Sequence, residues 1–261
     1  MDRSPTMLKG LLKGSKTKRA KDAPLLPEGV RLYAIGDIHG RADLLEKLFA
    51  QLRADIKGGD FNQLHFVFLG DYIDRGFQSR EVIEIILSQE WGALKPTFLL
   101  GNHEKTLLDF LDDPSVGPSW MEYGGRETLS SYGVELQNGG KGEAAWRMAS
   151  DDLRAALPPK HLSFLRGLQR SFQFGECYFV HAGVNPEKPV ADQSEDDQLW
   201  IRDRFLESRK RLEKVIVHGH TPETSPVWDG RRIGVDTGAY ITNRLTAVRI
   251  EGGGVDFIST N

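Results

Sequence analysis

The stretch VRLYAIGDIHG, residues 30–40, decides the fold: a short apolar run, a glycine, then an aspartate and a histidine. Seven residues are too few for a helix of ordinary length, and the mix of valine, leucine, tyrosine and isoleucine suits a strand buried on both faces. The form returns downstream. LHFVFLG (64–70) runs into Asp71-Tyr72-Ile73-Asp74-Arg75-Gly76, and PTFLLG (96–101) runs into Asn102-His103-Glu104. Two further runs, CYFVH (177–181) and VIVHG (215–219), lead into His181-Ala182-Gly183 and His218-Gly219-His220-Thr221. Between the first three, Leu44, Leu45, Leu48, Phe49 and Leu52 recur at helical spacing, as do Val82, Ile83, Ile86 and Leu87, with Ser79 placed as an N-cap. Strand–helix–strand alternation predicts an α/β fold with parallel pairing through right-handed crossovers.

Outside this frame, residues 105–172 read as a helical insertion lying over one end of the sheet, with Gly-Gly pairs at 124–125 and 139–140. The acidic, proline-containing stretch 186–197 reads as a loop. RRIGVDTGA and LTAVRIEGGGVDFIS predict a closing β-meander. The folded domain is expected over 30–261.

Composition excludes several classes. The chain has 261 residues, 39% hydrophobic and 27% charged, enough for one large domain with its own core. Its single cysteine, Cys177, rules out an internal disulfide and suits the cytoplasm. No apolar run reaches 18 residues, so no transmembrane helix is expected. A net charge of −3 gives no basis for nucleic acid as the main ligand. The charge is uneven, however. Residues 1–29 include Arg3, Lys9, Lys13, Lys16, Lys18, Arg19 and Lys21 against few acids. We read them as a solvated, disordered arm, with contact to an anionic membrane surface or a partner as the weaker alternative.

The five strand ends carry the chemistry. Ligands of open α/β sheets gather beyond the carboxyl ends of strands. Five of the seven histidines lie in these segments. One aspartate after a strand is ordinary turn or cap chemistry. Turns do not require an imidazole beside the acid each time, whereas divalent cations do, and mixed Asp/His/Asn ligands suit manganese, iron or zinc.

GDIHG, GDYIDRG and GNHE, followed by HAG and HGHT, closely resemble the phosphoprotein phosphatase family of calcineurin-like metallophosphoesterases, over residues 30 to about 240. The short chain and VDTGA (235–239) look like its small bacterial and phage serine/threonine phosphatases. The resemblance implies that fold, with layered sheets flanked by helices and the insertion over the site. It implies two divalent metals, manganese foremost. Asp37 and His39 would hold the first, Asp71 would bridge both, and Asn102, His181 and His220 would complete the second. A water shared by the metals would attack phosphorus in line. His103 would protonate the leaving oxygen, oriented by Asp74, while Arg75 and Arg202 would bind phosphate, Arg204 being the competitor for the second place. His218, His65, His161 and Trp120 are read as packing residues, Glu104 as orienting loops, and Tyr240 as a weaker candidate for phosphate contact.

The resemblance implies a phosphomonoesterase acting on phosphoserine or phosphothreonine in proteins. The first alternative is a dinucleoside polyphosphate hydrolase. Diadenosine tetraphosphatases share GDxHG and GNHE but typically lack an aspartate at the place of Asp74, and this sets monoester chemistry ahead. A non-catalytic binding module is the remote alternative, since all six ligand positions and the acid pair are intact.

Overall fold

The structure, a computed structural model, describes residues 25–260. The first half of the chain reads β1 (Val30–Ile35), α1 (Ala42–Lys57), β2 (Gln63–Phe68), α2 (Ser79–Ser88) and β3 (Thr97–Phe98). Five helices follow: α3 (Asn102–Asp112), α4 (Gly117–Glu122), α5 (Gly125–Ser131), α6 (Glu143–Ala156) and α7 (Pro159–Arg166). Then come β4 (Ser171–Phe174), β5 (Cys177–Val180), α8 (Glu195–Trp200), α9 (Asp203–Leu206) and β6 (Val215–His218). The chain closes with β7 (Val227–Trp228), β8 (Arg232–Gly234), α10 (Ala239–Thr242), β9 (Thr246–Glu251) and β10 (Gly254–Ser259).

Two five-stranded sheets result, ordered β10-β9-β1-β2-β3 and β4-β5-β6-β8-β7. β1, β2 and β3 pair in parallel, as do β5, β6 and β8. The alternation along each strand explains the layering. Tyr33 and Ile35 face a core shared with Leu44, Leu48 and Val82 of α1 and α2. Leu32 and Ala34, one step out of phase, face a second core with Phe179, Val215, Val217 and Ile233 of the other sheet. A strand covered on both sides must be apolar throughout, which is why its sequence reads as a continuous run. Tyr178, Val180 and Ile216 turn outward onto Phe205 of α9, so the layers run helices, sheet, sheet, helix, with carboxyl ends of both parallel sets opening on the same side.

Four expectations are corrected. The ordered chain begins before Val30: Leu25 and Leu26 are 1% and 2% exposed, and their amides donate to Gly252 O at 2.7 and 3.0 Å. The basic residues 3–21, and any surface contact through them, lie outside the described residues. The closing meander is split. Residues 232–234 form β8 beside β6, and only the β9–β10 hairpin joins the first sheet. The acidic loop hides the start of α8, where Ser194 Oγ accepts from Asp197 N at 3.1 Å. Acidic residues favour a helix amino end, so Glu195, Asp196 and Asp197 were a start signal. Finally, Ser79 is the first residue of α2 rather than its cap, and its hydroxyl serves Asp74 instead.

No helix among the described residues is long and apolar enough to cross a membrane.

Candidate active site

The site is built on strained loops. Among the described residues, seven non-glycine residues have positive φ, and five belong to the predicted site: His39 (47°), Asp71 (53°), Asp74 (70°), Arg75 (66°) and His220 (65°). Left-handed backbone is costly for such residues and persists only where surrounding contacts impose it. Glu104 supplies much of that imposition. It is fully buried, and its carboxylate accepts from the amides of Asp71 (2.9 Å), Tyr72 (2.8 Å), Ile73 (3.2 Å) and Gly101 (3.1 Å). Burial and the neighbouring Asp71 push its acid up to about 8, against the pull of these donors. Two glycines let the loops close: a Cβ on Gly101 would lie 2.1 Å from Asp71 Oδ1, and one on Gly219 would lie 2.0 Å from Asp37 Oδ1.

Imidazole tautomers then fix what faces the centre. His181 Nδ1 donates to Leu69 O at 2.8 Å, so its Nε2 presents a lone pair. That nitrogen lies 2.8 Å from Asn102 Oδ1 and 3.4 Å from Asp71 Oδ1, both acceptors. His220 Nδ1 lies 2.9 Å from Asn102 Oδ1 and 3.2 Å from His181 Nε2, and its own Nε2 is buried without a hydrogen-bond partner. On the other side of Asp71, His39 Nδ1 donates to Ile73 O at 3.0 Å, and its Nε2 lies 3.5 Å from Asp71 Oδ2. Lone pairs facing lone pairs at such separations leave buried acceptors without donors, which is unfavourable unless a cation lies between them. The residues present therefore fit metal ions. Two groups can hold them: Asp71, His181 and His220, and His39, Asp71 and His103, with Asp71 common to both. All five are buried.

The protonation pattern agrees. Burial, then the neighbouring imidazole of His103, lowers His39 to about 3. Burial and His181 lower His220 to about 2. Burial opposes ionisation of Asp71, but His181, His103, His39 and His220 outweigh it and hold the carboxyl below its ordinary value. Asp37 moves the other way, raised by burial and by Asp236 and Asp71. Asp37 stands outside both compact groups. Its carboxylate instead accepts from His220 N at 3.0 and 3.2 Å. Asp236, which sequence reading passed over inside VDTGA, is buried, and burial, with the charge of Asp71 adding to it, raises its acid to about 6.

His103 differs from the other imidazoles. Its Nδ1 lies 2.7 Å from Asp74 Oδ2 and its Nε2 3.8 Å from Asp71 Oδ2. Burial would lower it, yet Asp71 and Asp74 raise it to about 8. Arg75 Nη2 reaches to 3.5 Å from His103 Nε2, its Nη1 donates to Tyr240 Oη, and the guanidinium lies over that ring at 4.4 Å. Tyr240 thus holds Arg75 rather than standing apart from it. Arg202 Nη1 donates to His220 O at 3.3 Å and Thr221 Oγ1 at 3.2 Å, which sets it at the rim beside the second group. The field of Arg204 falls on Glu187 instead.

The other histidines are structural. His218 Nδ1 donates to Gly219 O, and its Nε2 accepts from Arg232 Nη1 at 3.1 Å. His161 meets Tyr132 Oη at 2.9 Å, and His65 packs on Phe174. Trp120 is the packing residue whose role the sequence concealed. Its indole N–H donates to Asp74 Oδ2 at 2.8 Å.

The chain belongs to the calcineurin-like phosphoesterase family, whose model matches residues 30–258. It is therefore a hydrolytic phosphoesterase of a family that depends on paired metal ions. Among curated relatives, the asymmetrical bis(5'-nucleosyl)-tetraphosphatase PrpE of Oceanobacillus iheyensis is 25% identical over 240 residues, covering 84% of this chain and 88% of that protein. A crystal structure of a proposed diadenosine tetraphosphatase superposes with a TM-score of 0.60 at 20% identity, covering 92% of this chain and 99% of the other. A cold-active protein-tyrosine phosphatase of a Shewanella species gives 0.53 at 16% identity, covering 89% and 82%. These two structures support the fold.

Proposed function

We propose that this chain hydrolyses a dinucleoside polyphosphate by in-line attack at a site holding two divalent cations, manganese foremost. The observation that carries the site is the convergence of the Asp71 carboxylate with imidazole lone pairs on both of its sides. The substrate class draws its support from the tetraphosphatase relatives, which match over most of both chains. This order reverses the one drawn from the residues alone.

Asp71 would bridge the cations, with Asn102, His181 and His220 on one side and His39 on the other, where Asp37, turned here to His220 N, would take the place of the protonated His103 as ligand. When bound, the pair supplies a hydroxide nucleophile near neutral pH and a Lewis-acid hold on phosphoryl oxygens. The chain's own residues do the rest. Arg75, steadied by Tyr240, and Arg202 bind the equatorial oxygens, where charge develops. His103 carries the proton for the leaving oxygen, and Asp74 fixes the ring so that Nε2 points into the site.

A second reading, hydrolysis of phosphoserine or phosphothreonine, is favoured by the His103–Asp74 pair. An alkoxide needs a proton more than a departing nucleotide does. Rates on diadenosine tetraphosphate, a phosphoserine peptide and a phosphotyrosine peptide, each with manganese, separate the two. The highest kcat/KM is expected on the dinucleotide. A higher value on phosphoserine overturns that assignment in favour of the second reading.

A further inference from the structure

Asp74 is wholly buried and sits at φ 70°, and its carboxylate is held by more than its imidazole partner. Oδ2 accepts from His103 Nδ1 at 2.7 Å and from Trp120 Nε1 at 2.8 Å. Oδ1 accepts from Thr128 Oγ1 at 2.5 Å. The same threonine oxygen accepts the Asp74 amide at 2.9 Å, so one hydroxyl ties the backbone and the carboxylate of this residue together. Ser79 Oγ, 3.0 Å from Thr128 Oγ1, completes the cradle. Trp120 and Thr128 lie on α4 and α5, the insertion, about fifty residues beyond the loop they serve.

The insertion is shaped for this contact. The Trp120 ring packs 4.9 Å from Phe110. A Cβ on Gly125 would lie 2.5 Å from that ring, so glycine is what lets α5 close against it. Gly124 O accepts from Arg75 N at 3.2 Å, seating the insertion on the Asp74–Arg75 turn itself. A buried indole N–H needs an acceptor, and any backbone carbonyl would satisfy a ring used only for packing. Here it meets the carboxylate oxygen that also faces His103.

We propose that Trp120 and Thr128 are positioning residues for the leaving-group proton: they fix the rotation of the Asp74 carboxylate and, through it, the direction of His103 Nε2. The proposal rests on the reading of His103 as proton donor. It makes the helical insertion part of the catalytic apparatus as well as a cover over it.

The test is a series of aryl phosphates, from p-nitrophenyl to phenyl, hydrolysed by the full-length manganese-loaded protein. Phenolate leaves poorly without a proton, and p-nitrophenolate leaves well. Trp120→Phe keeps the ring and removes the donor. Thr128→Val keeps the shape and removes the hydroxyl, and Thr128→Ser restores it. Trp120→Phe and Thr128→Val should each raise the p-nitrophenyl-to-phenyl ratio of kcat by about tenfold, with KM changing less than about twofold. Thr128→Ser should return the ratio to the parent value. In a His103→Asn background neither change should move the ratio further.

Equal losses on both esters, or effects that persist in the His103→Asn background, would overturn the positioning role. If His103→Asn itself slows both esters equally, the proton-donor reading fails, and this proposal with it. If His103→Asn is selective while Trp120→Phe and Thr128→Val are not, only this proposal fails. Should Trp120→Phe not fold, the Thr128→Val and Thr128→Ser pair decides alone.

Discussion

Strand β1 joins two charged clusters of opposite construction. At its amino end, Arg31 pairs with Glu251 at 2.7 Å and with Asp55 at 3.7 Å, and Arg249 pairs with Asp55 at 2.7 Å and Asp256 at 2.8 Å. Tyr33 Oη donates to the same Asp55. Signs alternate and every charge faces an opposite one, although Arg249 Nε is buried without a hydrogen-bond partner. At the carboxyl end, Asp37, Asp71 and Asp236 gather with His39, His181 and His220, and burial keeps those imidazoles neutral. Acceptors face acceptors there. The first cluster is balanced in charge within the chain. The second offers lone pairs suited to cations from outside, and the strained loops show how much of the fold is committed to holding it open.

The largest test of this contrast is Asp71→Asn. The change keeps the shape but removes the charge that both ligand groups share. It should lower kcat by about a thousandfold or more and weaken binding of both metals, read by activity and by metal analysis after dialysis. A variant that kept both its activity and its two metals would show that Asp71 is not the bridge.

Metal removal comes next in size. Manganese at about a hundred times its dissociation constant should stabilise the fold by about 2.7 kcal/mol for each ion bound, seen as a higher melting temperature than with a chelator. Asp71→Asn should abolish that gain. The pH dependence has a definite sign. His39 and His218 are depressed to about 3 and His220 to about 2, from 6.5, chiefly by burial. The unfolded chain therefore takes up protons first. This stability is fully present above 6.5 and declines as pH falls from there toward 3. Added manganese should steepen the decline, because its ligands must be neutral. Glu104 and His103, raised to about 8, and Asp236, raised to about 6, act in the opposite sense, so the imidazole contribution is read by difference. His218→Asn should flatten the fall of the denaturant midpoint between about pH 6.5 and 5, and an unchanged profile would contradict the buried neutral imidazole.

These dependences were legible early because the site's chemistry lies next to its punctuation. Gly36, Gly70 and Gly101 end apolar runs, and the acids and imidazoles follow at once, so strand ends and candidate ligands are read together. Continuous apolar runs likewise announce strands covered on both faces. The rest depends on distance in the chain. Nothing in RRIGV says that it pairs with β6 and not with β9, since both surroundings are equally apolar. Trp120 and Thr128 look like ordinary helix residues until tertiary packing brings them to Asp74, 46 and 54 residues away. Leu25-Leu26 was hidden beside a run of lysines, and Ser194 inside an acidic stretch that resembled a loop. Glu104 was legible as a loop organiser, although its four amide partners were not.

The smallest effect is expected at the self-sufficient cluster, and it sharpens the comparison by what it leaves alone. Asp55→Ala removes one partner from Arg31 and one from Arg249, for which Glu251 and Asp256 remain, and it takes the acceptor from the buried Tyr33 hydroxyl. Asp55 is 24% exposed, so water offsets part of the loss, and the cost should be about 1–2 kcal/mol in urea denaturation. It should be the same with manganese and with chelator, and kcat/KM should stay within about twofold of the parent value. The two clusters lie at opposite ends of a six-residue strand, about 20 Å long. Additivity is the expectation at that separation. A metal-dependent cost at Asp55 would mean that β1 transmits strain from one cluster to the other, and the two could no longer be treated as independent.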